Sequence, residues 1–374
     1  MKNIKYTFAL LIVALFISCT EDDVATDSGD LYLDHQVPNI PVTSDYQVGA
    51  HYYKINVLNR EADPTIQPTI GLYNLNPPPD QQTIYAQHLE QAKTAGIDFF
   101  LYDFRSAAFN NGNTQIGDIR FLDSLQATPG ADEIKMALSY NFGGTTVGME
   151  LSNNNRIEDA GHVQTFIDDF KEMIPFFDRT NYMKIGNANV VYITNGQNLH
   201  SEDNVQLYQN LRTELLAEGH DLYIIGSQPQ WTPPLKWDFR FKGCVDALTH
   251  LSYIRVNRNT YDRFLYFHTI TDLALQYHKE RLDDFEIEYI PTISPSVDLS
   301  FNSNVNDDDN LYVIPKEVEF FKKTCNVARN ASGNNKLILI DSFNNWNVDT
   351  QIESDNANED TYLKIVKEEF KVNQ

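Results

Sequence analysis

Apolar runs of strand length recur along this chain, and amphipathic segments long enough for helices separate most of them. Ile97 to Phe104 (IDFFLYDF) is nearly unbroken, the pattern of a parallel strand covered on both faces. Tyr46–Ile55, Pro68–Tyr73, Lys135–Tyr140, Ala188–Thr194, Leu222–Gly226, Ala247–Ile254, Ile287–Ile293 and Lys336–Asp341 read as strands in the same way. Thr83 to Ala95 has helical periodicity, with Ile84, His88, Leu89 and Ala92 on one face and Gly96 as the stop. Ala160–Phe177, Asp203–Glu218, Arg263–Glu280 and Pro315–Arg329 are further helical stretches. Such alternation implies βαβ units and a parallel sheet. Six to eight units over the roughly 330 residues from Tyr46 onward predict an α/β fold, a single (β/α)8 TIM-type barrel with enlarged βα loops spanning 46–374. An open doubly wound sheet is disfavoured because no G-x-G-x-x-G follows an early strand.

The N-terminus carries an export layout. Lys2 and Lys5 precede the apolar run Phe8–Ile17, which ends at Ser18-Cys19. The run is shorter than the roughly 20 residues a membrane-spanning helix needs. A small residue before cysteine resembles the bacterial lipobox, which implies a signal over 1–18 and lipidation of Cys19; an ordinary cleaved signal is the alternative. Glu21, Asp22 and Asp23 follow, as in surface lipoproteins of the Bacteroidetes lineage. The expectation is a surface-exposed outer-membrane lipoprotein, with 19–45 as an acidic flexible tether. Cys244 and Cys325 could pair in such a compartment but do not make a disulfide scaffold.

A formal net charge of −23 excludes nucleic acid as a partner, since phosphate binding needs clustered Lys and Arg. Salt at seawater strength would screen that charge within a few ångströms, which leaves sulfated or uronic glycans open as ligands. The 20 tyrosines and 22 phenylalanines exceed what a bare core requires and suit aromatic contact with sugar rings. No H-x-H, H-E-x-x-H, G-x-S-x-G or P-loop spacing occurs, so no metal or cofactor is expected. Asp307-Asp308-Asp309 lacks the full calcium-loop pattern and reads as a solvated loop.

In a barrel, ligands meet the loops after the C-terminal strand ends. Tyr73, Asp103, Tyr140, Trp231, Tyr253, Asp298 and the block from Asp341 to Trp346 occupy such positions, a set rich in hydrogen-bonding groups and flat rings. His250 lies within a strand pattern and reads as a satisfied buried histidine.

Four segments carry a resemblance: Gln67-Pro68-Thr69-Ile70-Gly71-Leu72-Tyr73, Ala95 through Asp103, Pro291-Thr292-Ile293-Ser294-Pro295, and Ser342-Phe343-Asn344-Asn345-Trp346 with Thr350-Gln351-Ile352-Glu353. In order and over most of the chain they resemble the family-99 glycoside hydrolases and their family-71 and WbsX-type relatives. The resemblance implies a (β/α)8 barrel acting on α-mannan in endo fashion, often surface-attached and cofactor-free. The last block resembles S-F-N-E-W-x-E-G-T-Q-I-E, whose first two glutamates are the family's catalytic pair. Asn345 and Val348 stand at those positions, and neither exchanges a proton as a carboxyl does.

Three readings stay open. One is a hydrolase with a relocated carboxylate pair drawn from Asp103, Asp298, Asp349 and Glu353. A second is an inactive glycan-binding barrel of a polysaccharide-utilisation system. The third is a lyase using Tyr140, Tyr253 or His250 as base. In each, Tyr73, Tyr140, Trp231, Tyr253, Asn344, Asn345 and Trp346 are the candidate substrate contacts. The expected partners are a polysaccharide or oligosaccharide, the membrane through Cys19, and other glycan-uptake proteins.

Overall fold

Phe99 fills the space around which the strands wrap. It pairs in register with Gly49 on the neighbouring strand, and a Cβ built on Gly49 would overlap the Phe99 ring. Glycine is therefore needed here for room. Gly49→Ala is expected to lower stability by about 1–3 kcal/mol through overpacking; denaturant unfolding with an unchanged midpoint would contradict this.

The structure, a computed structural model, describes residues 34–57, 66–76, 81–152, 154–229, 237–250, 266–298, 313–314 and 316–372. Eight parallel strands form the barrel: β1 Gln47–Tyr52, β2 Phe99–Arg105, β3 Lys135–Asn141, β4 Ala188–Ile193, β5 Leu222–Gln228, β6 Ala247–His250, β7 Glu288–Ile290 with Thr292–Ile293, and β8 Leu337–Ile340. Each pairs with the next, and β1 also pairs with β8. β7 closes the ring: its first half pairs with β6 and its second half with β8. Pro291 interrupts it, yet the Pro291 carbonyl still accepts from Leu339 N at 3.0 Å. This is a single (β/α)8 barrel.

Among the described residues seven longer helices cover the strands: α1 Gln81–Ala95, α2 Asn113–Gln126, α3 Val163–Lys171, α4 Asn204–Ala217, α5 Phe267–Asp283, α6 Val318–Ala331 and α7 Thr361–Phe370. Alternation along each strand makes two cores. Phe99, Leu101, Ala137, Val190, Ile225 and Leu339 fill the interior, while Phe100, Tyr102, Leu138, Ile224 and Ile340 pack outward under the helices. Each fully buried Val, Leu, Ile or Phe among them contributes about 1.5–3 kcal/mol.

Three expectations need revision. Pro68–Tyr73 is a turn, not a strand: Gly71 N donates to Pro68 O at 2.9 Å, and Gly71 adopts φ +85°, which glycine reaches without strain. The helix expected over Ala160–Phe177 is split into α3 and a turn at Ile174–Phe177, where Pro175 has no N–H to continue the ladder. The segment expected as tether is bonded to the barrel from His35 on. His35 Nε2 contacts Asp272 Oδ2 at 2.8 Å, Ile40 N donates to Asn326 Oδ1 at 2.9 Å, and Arg329 Nε donates to Ile40 O at 2.9 Å. Cys244 and Cys325 are both buried free thiols. Cys19 and Asp307-Asp308-Asp309 lie outside the described residues.

Candidate active site

The same alternation decides which side chains reach the barrel mouth. On β2, Phe99 and Leu101 point inward, so Asp103 continues their row at the C-terminal end. On β8, Leu337 and Leu339 point inward, and Asp341 follows, its backbone N still paired with Ile293 O at 2.7 Å. Between these strands lies β1, whose inward row of Gln47 and Gly49 ends in His51. The His51 ring meets the interior ring of Tyr192 edge-on, centroids 4.9 Å apart.

Asp103 is half-buried and accepts no hydrogen bond from a described residue. Burial pushes its carboxyl up to about 6; the nearby Asp118 charge adds to this and Arg105 opposes it. Arg105 does not neutralise Asp103 directly, because its guanidinium is committed to Asp118 on α2. Arg105 Nε donates to Asp118 Oδ2 at 2.8 Å, and a second guanidinium nitrogen bonds Oδ1. Asp103 and Arg105 line a cleft of about 130 Å³ together with Tyr53, Lys54 and Asn76 from the β1–α1 connection, and Asp118. Lys54 lies over the Phe121 ring, 5.2 Å from its centroid.

The C-terminal block acts beneath this cleft. Asn344, fully buried, brackets the Tyr53 backbone: Tyr53 N donates to Asn344 Oδ1 at 2.8 Å and Asn344 Nδ2 donates to Tyr53 O at 3.0 Å. The clamp fixes the chain where it leaves β1, and so fixes Tyr53 and Lys54 beside Asp103. Asn344→Ala leaves two backbone groups unpaired. It is expected to cost about 2–4 kcal/mol in urea unfolding; a loss under about 0.5 kcal/mol would mean water replaces the clamp.

Glu353 is buried and holds three donors. Tyr73 Oη and Trp346 Nε1 each donate to Oε2 at 2.7 Å, and His88 Nε2 lies 3.0 Å from Oε1. Tyr52 Oη meets His88 Nδ1 at 2.8 Å, so in the Nε2–H tautomer Tyr52 donates to the ring and the ring donates to Glu353. Burial first, and the Glu353 charge next, push the Tyr73 hydroxyl well above its ordinary range, which keeps it a donor.

The structure thus separates the candidates. Trp346 is 1 % exposed and its indole is committed to Glu353, so no ring face is open to a sugar. Tyr73 is buried in the same network. Tyr140 points outward: its hydroxyl donates to Asp169 Oδ2 at 2.7 Å, and its ring packs on Phe166 and Phe170. His250 also faces outward, taking a bond from Gln228 Nε2 at 2.8 Å and meeting Tyr289 Oη at 3.2 Å. Asp298 and Asp349 come together on the β7–β8 side, where Asp298 N donates to Val348 O at 2.9 Å and Ser296 Oγ bonds the Asp349 carbonyl. Asp349 Oδ1 accepts from Gln351 Nε2 at 3.0 Å. Trp231 and Tyr253 lie outside the described residues. Lys54 and His51 were not singled out from sequence. The signal for His51 was the i, i+2 row Gln47, Gly49, His51; for Lys54, placed inside the expected strand Tyr46–Ile55, there was none, because the strand ends earlier, at Tyr52.

Among solved structures, a glycoside hydrolase-like protein matches with a TM-score of 0.81 and 36 % identity, over 92 % of this chain and 99 % of that one. The chain belongs to that glycoside hydrolase-like family. The GH99 endo-alpha-mannosidase from Bacteroides thetaiotaomicron shares the fold at TM-score 0.57 and 13 % identity, over 87 % of this chain and 97 % of its own. A complex of the GH99 endo-alpha-mannosidase with bis-tris-propane gives 0.59 and 14 % over the same shares. No protein-family model and no curated protein sequence matches the chain. In this glycoside hydrolase-like barrel Asn345 and Val348 are half-buried beyond β8. Asn345 N bonds Ser342 Oγ at 3.2 Å, and the Val348 carbonyl serves Asp298.

Proposed function

We propose that this glycoside hydrolase-like barrel cleaves a polysaccharide in endo fashion at its C-terminal mouth, with Asp103 as the proton donor. One observation carries the reading: Asp103 is an inward-facing carboxyl without a hydrogen-bond partner among the described residues, held up to about 6. A general acid works best when its pKa lies near the operating pH. Glu353, by contrast, is occupied by three donors. Hydrolysis needs a second carboxylate about 5–10 Å from the first. Asp341 meets the topology: β2 and β8 flank β1 and are two strand spacings, about 10 Å, apart, and both side chains turn inward from there. Asp298 and Asp349 belong to the same arc but lie off the barrel strands, Asp298 in the short strand Val297–Asp298 that pairs with Val313–Ile314 and Asp349 in a loop. The endo mode draws support from the fold shared with the GH99 endo-alpha-mannosidase.

The N-terminal layout supports the rest of the reading, a lipoprotein held by Cys19 at the outer-membrane surface that delivers oligosaccharides to glycan-uptake proteins. The test is to incubate the full chain with a panel of mannans and acidic polysaccharides and to follow chain length by chromatography, with affinity electrophoresis alongside. New oligosaccharides are expected. Retarded migration without any product would overturn cleavage and leave a glycan-binding barrel.

A further inference from the structure

The cleft beside Asp103 is small and walled by charged groups. Its volume of about 130 Å³ is enough for a sulfate or carboxylate group. Its charges are also distinctive. In a chain of net charge −23, this rim cleft carries two cations, Lys54 and Arg105. Arg105 is neutralised by its bidentate partner Asp118. Lys54 has no ion pair with a described carboxylate; its ammonium is half-buried against the Phe121 ring. Burial is the main influence on it and lowers its pKa, with Asp118 acting the other way, so among the described residues no ion-paired carboxylate makes good the loss of water.

We infer that Lys54 is a specificity residue that takes an acidic substituent, sulfate or carboxylate, on the sugar placed at Asp103, so that the substrate is an acidic glycan. This rests on the reading of the mouth as a glycan site. The Asn344 clamp on the Tyr53 backbone holds the adjacent Lys54 in place, and the Asn76 side of the cleft offers a neutral wall. The arrangement also assists the proposed chemistry. An anion taken by Lys54 enters the cleft that Asp103 also lines and disfavours the ionised form of that carboxyl, so the proton stays on the donor until the glycosidic oxygen takes it. A neutral sugar would gain neither effect.

Binding of oligogalacturonate, a sulfated galactan oligosaccharide and mannan oligosaccharide of matched length is measured by calorimetry on the full chain, for wild type, Lys54→Met and Lys54→Arg. Lys54→Met keeps the stem on Phe121 and removes the charge; Lys54→Arg restores it. Wild type is expected to bind at least one acidic oligosaccharide more tightly than mannan. Lys54→Met should weaken that binding roughly ten- to a hundredfold, as expected for a charge-assisted bond, with recovery in Lys54→Arg and a decline with added salt. Which acidic ligand responds tells carboxylate from sulfate. Equal binding of acidic and neutral oligosaccharides, or acidic binding untouched by Lys54→Met, overturns the inference. If product release from mannan nevertheless depends on Asp103, the cleavage reading survives alone; if no glycan of either kind is bound, both fall.

Discussion

Asp103→Asn is expected to slow glycan cleavage by about 10²–10⁴-fold, the range for loss of a general acid, while binding is kept because the amide preserves the shape of the cleft. In wild type, activity should fall as pH rises through about 6, where the donor loses its proton. The same carboxyl has a stability signature of predictable sign. Its folded value is about 6 against an ordinary 3.8, so the folded chain holds the Asp103 proton more tightly than the unfolded chain does. Stability from this group is therefore full below about 4, declines between about 4 and about 6, and stays reduced above. The amide carries no such loss. Asp103→Asn should unfold at a higher temperature than wild type at pH 8 and at nearly the same temperature near pH 3.5. A variant that is fully active, or less stable at pH 8, would show that the carboxylate is held by favourable native contacts and is not the donor.

Glu353→Ala should produce the largest loss of stability. The substitution strands the Trp346 indole N–H, the Tyr73 hydroxyl and the His88 Nε2–H in a site where all four side chains are buried. At about 1–3 kcal/mol for each of the three orphaned donors, the sum is on the order of 3–9 kcal/mol, a large part of the 5–15 kcal/mol that holds a typical domain together. Glu353→Gln keeps one acceptor oxygen and should cost less, about 1–3 kcal/mol. Urea unfolding of both variants at pH 7 checks the order. A cost below 1 kcal/mol for the alanine variant would release Glu353 from its structural duty and return it to the candidates for chemistry.

The barrel was legible because a strand covered on both faces must be apolar throughout. Ile97–Phe104 could be read as a strand from composition alone, and the structure places β2 at Phe99–Arg105. Pro68–Tyr73 misled because Thr, Ile, Leu and Tyr favour strands while Pro68 and Gly71 set a turn. The site was harder for a different reason. A residue at a strand's C-terminal end faces either the lumen or the helices, and one step along the chain exchanges the two. Asp103 and Tyr140 hold similar places near the C-terminal ends of their strands, yet Asp103 continues the row of Leu101 and Tyr140 the row of Leu138. Trp346 and Glu353 stand seven residues apart in a matched block, and nothing in that spacing says that they bond each other rather than a ligand.

The closure of the ring between β8 and β1 has a consequence for biogenesis. Tyr53 and Lys54 belong to the first strand exit, while Asp341 and Asn344 belong to the last, so the two halves of the mouth come from opposite ends of the polypeptide. A nascent chain lacking Leu337–Ile340 has an open sheet whose two bare edges, β1 and β7, are prone to mispairing. The pairing that cures this has nearly the longest sequence separation in the molecule and is entropically the most demanding to form. Competence for ligand thus arrives only with the final stretch of translation, and any product ending before Leu337 should emerge from the ribosome without a pocket and prone to aggregate.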